Sequence, residues 1–234
     1  MQHTSAKSAL RSDAKKILSK TNISKRDLTL CFKAILNIIS KISQKNKRGA
    51  GVGRGKRALN IMIYCPFGFE LDIFPLIFYL KKHPLDFRIF APKVSNKKIE
   101  CIRFSLPLKR DKLGILAPNG VKSNLKLDVV IVPILGMDYD FARVGFGLGL
   151  YDRFMHGLRK KPAVIFATKK LIFSSNKLGE SHDIRGDFVI CKDFCAQKRL
   201  GIGNASVFRL HNNSPICRGF NLFNHAKIHI CKYK

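Results

Sequence analysis

Two hydrophobic rhythms alternate along this chain. Apolar residues fall at Leu28, Cys31, Phe32, Ile35, Ile38, Ile39 and Ile42, the three-to-four spacing of one helix face. Asn22 or Ser24 can cap that helix, and Thr4 or Ser5 can cap an earlier one reaching about Ser19. From Leu59 the texture changes to short apolar runs. Leu59–Tyr64, Phe87–Ala91, Ile99–Phe104, Leu127–Val132, Ala163–Ala167 and Asp187–Cys191 read as strands. Between them, Glu70–Lys81 and Gly147–Leu158 read as helices. Buried strands alternating with helices predict an α/β fold, a mostly parallel sheet with helices on both faces. Residues 204–234 are basic and partly alternating, which predicts edge strands or a loose tail.

Length and composition narrow the class. The 234 residues, 46% hydrophobic, suffice for one sizeable domain. The division read from the sequence is a single α/β domain over 1–203 and a basic C-terminal extension over 204–234. The most apolar stretch, Ile61 to Leu80, is interrupted by Pro66, Gly68, Glu70, Asp72 and Pro75, so no membrane span is expected. Met1-Gln2-His3-Thr4 offers no apolar signal region. Seven irregularly spaced cysteines then predict reduced thiols and a cytoplasmic monomer. Cys191 and Cys195, with His211, Cys217, His225 and His229, fit no common zinc spacing.

Net charge changes the picture more. At +29 the chain attracts anions. Residues 1–58 hold 15 Lys and Arg against 2 Asp. Within them, residues 44–58 read as a basic Gly-rich loop. Its Gly55-Lys56 mimics a phosphate-binding P-loop, but Ala50 and Arg57 stand where that motif needs Gly and Ser or Thr. Nucleic acid binding through this segment is disfavoured, because Phe32 is its one aromatic and lies on the apolar helix face.

The candidate chemistry lies in Arg143-Val144-Gly145-Phe146-Gly147-Leu148-Gly149-Leu150-Tyr151-Asp152, which follows the strand ending at Pro133. Alternating glycines let backbone N–H groups approach a ligand closely, and the helix behind presents its positive end. Phosphate suits that setting. Arg143 can contact it through two N–H groups, and Asp152 suits a Mg²⁺ bridging phosphate oxygens.

The wider pattern resembles the 5-formyltetrahydrofolate cyclo-ligase family. Pro133, Asp138, Arg143 and the Gly-x-Gly-x-Gly-x-Tyr-Asp run are similar to its signature. Four further blocks occur in order: Lys7-Ser8-Ala9-Leu10-Arg11; Tyr64 to Pro75 with Phe67, Glu70 and Asp72; Leu113-Gly114-Ile115 with Pro118; and His182-Asp183 through Ile190. The resemblance implies a Rossmann-like three-layer α/β/α fold and an ATP- and Mg²⁺-dependent closure of 5-formyltetrahydrofolate to 5,10-methenyltetrahydrofolate. It implies ATP contacts from Lys7, Ser8, Ala9, Leu10 and Arg11 and from Arg143 through Tyr151. It further implies folate contacts from Phe67 and Glu70 or Asp72, Mg²⁺ at Asp152 and Asp183, and catalytic roles for Arg143 and Tyr151. The cations of residues 47–57 would suit a polyglutamate tail on the folate. The chain departs from the family pattern at Ala117, Ile134, Leu148 and Leu150, so the alternative is an inactive or substrate-shifted relative that binds ATP.

Overall fold

The computed structural model describes residues 2–48, 57–111, 114–198, 204–209, 215–221 and 231–233. The first half holds α1 (Gln2–Lys20), α2 (Lys25–Arg48), β1 (Leu59–Ile63), α3 (Phe74–Lys81), β2 (Phe87–Ser95), β3 (Lys98–Arg103), β4 (Leu108–Arg110) and β5 (Leu116–Pro118). Then come β6 (Val129–Pro133), β7 (Gly136–Asp138), β8 (Arg143–Val144), α4 (Leu150–His156), β9 (Ala163–Ala167) and β10 (Ile172–Ser174). The chain continues with β11 (Phe188–Ile190), β12 (Phe194–Lys198), β13 (Asn204–Arg209), β14 (Pro215–Asn221) and β15 (Cys231–Tyr233).

Nine strands form the main sheet in the order β14-β13-β12-β11-β9-β6-β1-β2-β3. Its centre is parallel: β1 pairs with β2 and β6, and β9 pairs with β6 and β11. Antiparallel strands flank it, β3 on one side and β12 to β14 on the other. Alternate side chains of each central strand enter different cores. Leu59, Ile61, Ile63, Val129, Ile131, Ile165 and Ala167 pack with Ile35 and Ile39 of α2 and Leu76, Ile77 and Leu80 of α3. Met62, Val130, Val132, Val164 and Phe166 pack with Met155 of α4 and with Met137 and Phe173 of a smaller sheet, β15-β10-β7-β8. Helices therefore cover both faces, as the apolar pattern predicts. A third core joins Leu10, Ala14 and Leu18 of α1 to Leu135, Val144, Ile172 and Leu178. This is why α1 lies beside the glycine segment.

Local chemistry moves several expected boundaries. Thr4 and Ser5 fall inside α1, which begins at Gln2. Ser24 does cap α2: its hydroxyl accepts from Asp27 N–H at 3.0 Å, and its own N–H meets the Asp27 carboxylate at 3.4 Å. The basic loop expected from Gln44 starts later, because α2 continues to Arg48 through Gln, Lys and Arg, which favour helix without apolar spacing. Within that expected loop, Arg57 pairs with Asp128, while residues 49–56 lie outside the described residues. So do Leu113, His211, His225 and His229. Helix α3 starts at Phe74 rather than Glu70, since Asp72 accepts the Phe74 N–H at 3.0 Å. Helix α4 spans seven residues, because Gly147 (φ +100°) and Gly149 (φ +60°) stand in the left-handed region ahead of it. The described part of 204–234 includes β13 and β14, which extend the edge of the main sheet.

Cys31, Cys65, Cys101, Cys191 and Cys195 are buried free thiols. Burial pushes those of Cys65 and Cys101 up to about 12, which leaves them protonated and unreactive. No described helix is long and apolar enough to cross a membrane.

Candidate functional site

Strand β1 leads on toward β2 in one direction, while β6 leads on toward β9 in the other. The two strands lie side by side, so the loops leaving their carboxyl ends diverge and open a crevice. In an open α/β sheet, that reversal is where ligands bind. The loop after β1 carries Phe67, Glu70 and Asp72. The chain after β6 carries Arg143 and the glycine turn.

Arg143 is 6% exposed and sits at the end of β6, its Nε donating to the Pro133 carbonyl at 3.2 Å. Its guanidinium is 3.5 Å from Asp152 and lies over the Tyr151 ring, 5.1 Å from the centroid. Burial pulls its pKa down, and Asp152 is the first group opposing that shift. Gly145 has no room for a side chain, since a Cβ there would lie 2.4 Å from the Arg143 head. The Gly145 carbonyl accepts from Arg11 Nε at 3.0 Å, which ties α1 to the turn.

Lys7, also on α1, is buried and pairs with buried Asp183 at 2.5 Å. Asp183 accepts the Glu180 N–H at 2.8 Å, and Asp152 accepts the Ile184 N–H at 3.1 Å. The segment 180–184 thus holds one carboxylate, Asp183, within its own turn and is tied by Ile184 to the other, Asp152 of α4. Asp138, wholly buried, fixes that segment's position. Its two oxygens accept from four backbone N–H groups, those of Asp140, Ala142, Leu178 and Gly179, at 2.8–3.0 Å.

These groups line a cleft of about 530 Å³. Of the residues expected at an ATP and metal site, Lys7, Arg11, Arg143, Gly145, Gly147, Leu148, Gly149, Asp152 and Asp183 line it. Others do not. Leu10 and Val144 belong to the α1 core, and Ser8 and Ala9 are exposed outside the cleft wall. Phe146 stacks on Phe69 at 5.7 Å, with the Lys15 ammonium over its ring at 5.6 Å from the centroid. Leu150 lines a different cleft, beyond α4. Leu148, 56% exposed, is at the rim. Sequence reading missed four lining residues: Arg153, His156, Glu180 and His182. His156 was findable, being one helical turn after Asp152 on α4.

The β1 side is more apolar. Phe67 is 42% exposed, its ring edge facing Gly114 of the next loop. Glu70 accepts the Phe67 N–H at 3.0 Å, and burial raises its carboxyl to about 7, against the opposing pull of that bond and of Arg143. Asp72 is turned to the start of α3 instead. Burial, with Glu70 nearby, also raises Tyr151, so its phenol keeps its proton. The Glu70 shift gives a stability prediction. Because the folded pKa lies above the ordinary 4.5, the folded state holds the proton more tightly. That advantage is complete below about pH 4.5 and is lost as pH rises through 7. Glu70→Gln lacks this titration. Its melting temperature should gain on the wild type between pH 5 and 8.5, by the equivalent of about 2 kcal/mol. Parallel curves for the two proteins would contradict a raised Glu70.

Among the described residues, no group of three or more acidic, histidine or cysteine side chains is placed to hold a metal. Of the three acidic residues that line the cleft, Asp152 and Asp183 are buried and Glu180 is exposed. The buried pair fits Mg²⁺, which commonly takes one or two carboxylates and completes its shell with water and phosphate oxygens.

In fold the chain is similar to the NMR structure of 5,10-methenyltetrahydrofolate synthetase from Aquifex aeolicus. The TM-score is 0.57 at 23% identity, over 94% of this chain and 99% of that one. It is also similar to a 5,10-methenyltetrahydrofolate synthetase from Mycoplasma pneumoniae, with a TM-score of 0.50 at 22% identity, over 80% of this chain and 99% of that one. No protein-family model and no curated protein matches it.

Proposed function

We propose that this protein is an ATP- and Mg²⁺-dependent 5-formyltetrahydrofolate cyclo-ligase. The observation that carries the reading is the meeting, at the sheet's reversal point, of a buried arginine, a glycine turn and the two buried carboxylates Asp152 and Asp183. The fold shared with two methenyltetrahydrofolate synthetases supports it.

The chain's residues suit three tasks. Lys7, Arg11 and Arg143 supply cations to the polyphosphate, and the backbone of Gly145 to Gly149 supplies N–H groups. Asp152 and Asp183 would hold Mg²⁺, which neutralises charge on the phosphate oxygens when bound. On the β1 side, Phe67 offers an aromatic face to the pterin, and Glu70 a carboxyl to its ring nitrogens. Tyr151, kept protonated beside Arg143, can donate to the oxygen that is phosphorylated.

The reaction needs no protein nucleophile. The formyl oxygen attacks the γ-phosphorus, and the bond to the β,γ-bridging oxygen breaks, releasing ADP. N10 then bonds to the activated formyl carbon and loses its proton to solvent. The carbon–oxygen bond breaks, and phosphate leaves with the former formyl oxygen. Positioning and charge stabilisation account for the rate.

That last transfer is testable. With substrate carrying ¹⁸O in the formyl group, the released phosphate should contain one ¹⁸O, read by mass spectrometry. Unlabelled phosphate would refute formyl phosphorylation.

A further inference from the structure

A second cleft of about 880 Å³ lies behind α4, between that helix, β3 and the segments 122–127 and 157–160. Its cations are Lys98, Lys122, Lys126, Arg153, Arg159 and Lys160, and no carboxylate is among the residues that line it. Its floor is apolar, built from Ile99, Leu127, Phe154 and Leu158, with Leu125 left 48% exposed. It does not end there. Lys126, Leu127 and Lys160 also line a third cleft, of about 760 Å³, which adds Lys41, Lys45, Lys161, Arg185 and Lys198 against the carboxylates Asp128, Asp183 and Asp187. Together the two make one elongated cationic channel. Arg153 connects it to the candidate active site, whose wall it shares.

In the second cleft, where no carboxylate is among the lining residues, charges of one sign stand together at a cost. The strain is visible at Lys126, which the adjacent Lys160 ammonium holds below the ordinary lysine value. Two adjoining clefts of about 880 and 760 Å³ suit a polymer better than one small anion. Its concavity and apolar floor distinguish it from a membrane-binding face. Cationic walls along an apolar floor with an aromatic ring are what a phosphate backbone with unstacked bases requires. Residues 1–58 are poor in aromatics, and they enter the channel only through α2, with Lys41 and Lys45; the aromatic ring comes from Phe154 of α4.

We propose that this channel binds single-stranded nucleic acid, with its lysines and arginines on the phosphates and bases against the Leu125–Phe154 floor. This stands apart from the folate reading, and the two can fail separately.

The test is fluorescence anisotropy with a labelled single-stranded RNA of about twelve nucleotides, across a NaCl series. The expected Kd is on the order of 1 µM at about 100 mM NaCl, with a log–log salt slope near −3, that of about four neutralised phosphates. Lys122→Glu/Lys126→Glu/Lys160→Glu should weaken binding at least tenfold and leave methenyl formation unchanged. All three side chains are exposed, so folding is not at stake. The control is Lys16→Glu/Lys20→Glu/Lys25→Glu, an equal charge change on exposed positions elsewhere. It should cost less than threefold. Equal losses in both triple variants would mean overall charge, not the channel, and would overturn the proposal. So would displacement of the RNA by a polyglutamate of matching charge at an equal concentration, which would mark the channel as a polycarboxylate site. Circular dichroism and the single variants Lys122→Gln, Lys126→Gln and Lys160→Gln guard against misfolding, and full RNA affinity in all three singles and the triple would also refute it.

Discussion

Arg143→Lys should lower kcat/KM for 5-formyltetrahydrofolate by about a hundredfold or more while leaving the protein folded. The two residues share a charge but not a shape. Arg143 reaches the Pro133 carbonyl through Nε, meets Asp152 through a terminal nitrogen and sits over the Tyr151 ring. A lysine ammonium can keep the Asp152 contact. It cannot hold the carbonyl with a nitrogen midway along the chain, and it presents no plane to the ring. The positive charge therefore persists, so the buried Asp152 is not stranded and stability changes little. What is lost is the aim of the charge at the phosphate, and misplacement by about 1 Å suffices for a hundredfold loss. Steady-state kinetics beside a melting curve separates the two effects. Activity within threefold of wild type would remove Arg143 from the mechanism.

Asp138→Asn is expected to give the largest stability loss. Its carboxylate accepts four backbone N–H groups in a fully buried position. An asparagine offers one oxygen and one NH₂. Whichever way it turns, two N–H groups face a donor instead of an acceptor. Buried unsatisfied donors cost about 1–3 kcal/mol each, so a loss of about 3 kcal/mol or more follows. For a chain of this size that is a fall of roughly 6–12 °C in Tm. Activity should fall too, because the same four bonds set 178–179, and hence Asp183, against Ala142 and Arg143. Thermal melting with an ATP titration would read both. A variant melting within 2 °C of wild type, which is less than about 1 kcal/mol, would show that the four bonds carry little.

The parts of this structure legible in the sequence are those with a local cause. The apolar runs of β1, β6 and β9 announced a buried parallel centre, and α2 showed its face at helical spacing. Arg143, Asp152, Asp183, Lys7 and the glycines came from motif order, and the fold does gather them in one cleft. Other features depend on contacts far apart in the chain. Strands β7, β8 and β10 are two or three residues long, too short for any rhythm to show. The shortening of α4 follows from two positive-φ glycines, which the sequence marked as a turn without saying where the helix resumes. Glu180 and His182 stand in a polar loop whose place is set by Asp138, 40 residues away from its Leu178 partner. Glu70 and Asp72 are equivalent in sequence, but in the fold Asp72 holds the Phe74 N–H and Glu70 the Phe67 N–H. The cationic channel is assembled from β3, α4 and two loops, so no single window of sequence displays it.

The most direct test of the central claim is turnover itself. Purified protein, 5-formyltetrahydrofolate, ATP and Mg²⁺ are mixed, and the methenyl product is followed by its absorbance while ADP is measured in parallel. The account predicts methenyl formation that requires ATP, with one ADP for each product formed. Folded protein that binds ATP yet yields no methenyl product would contradict it.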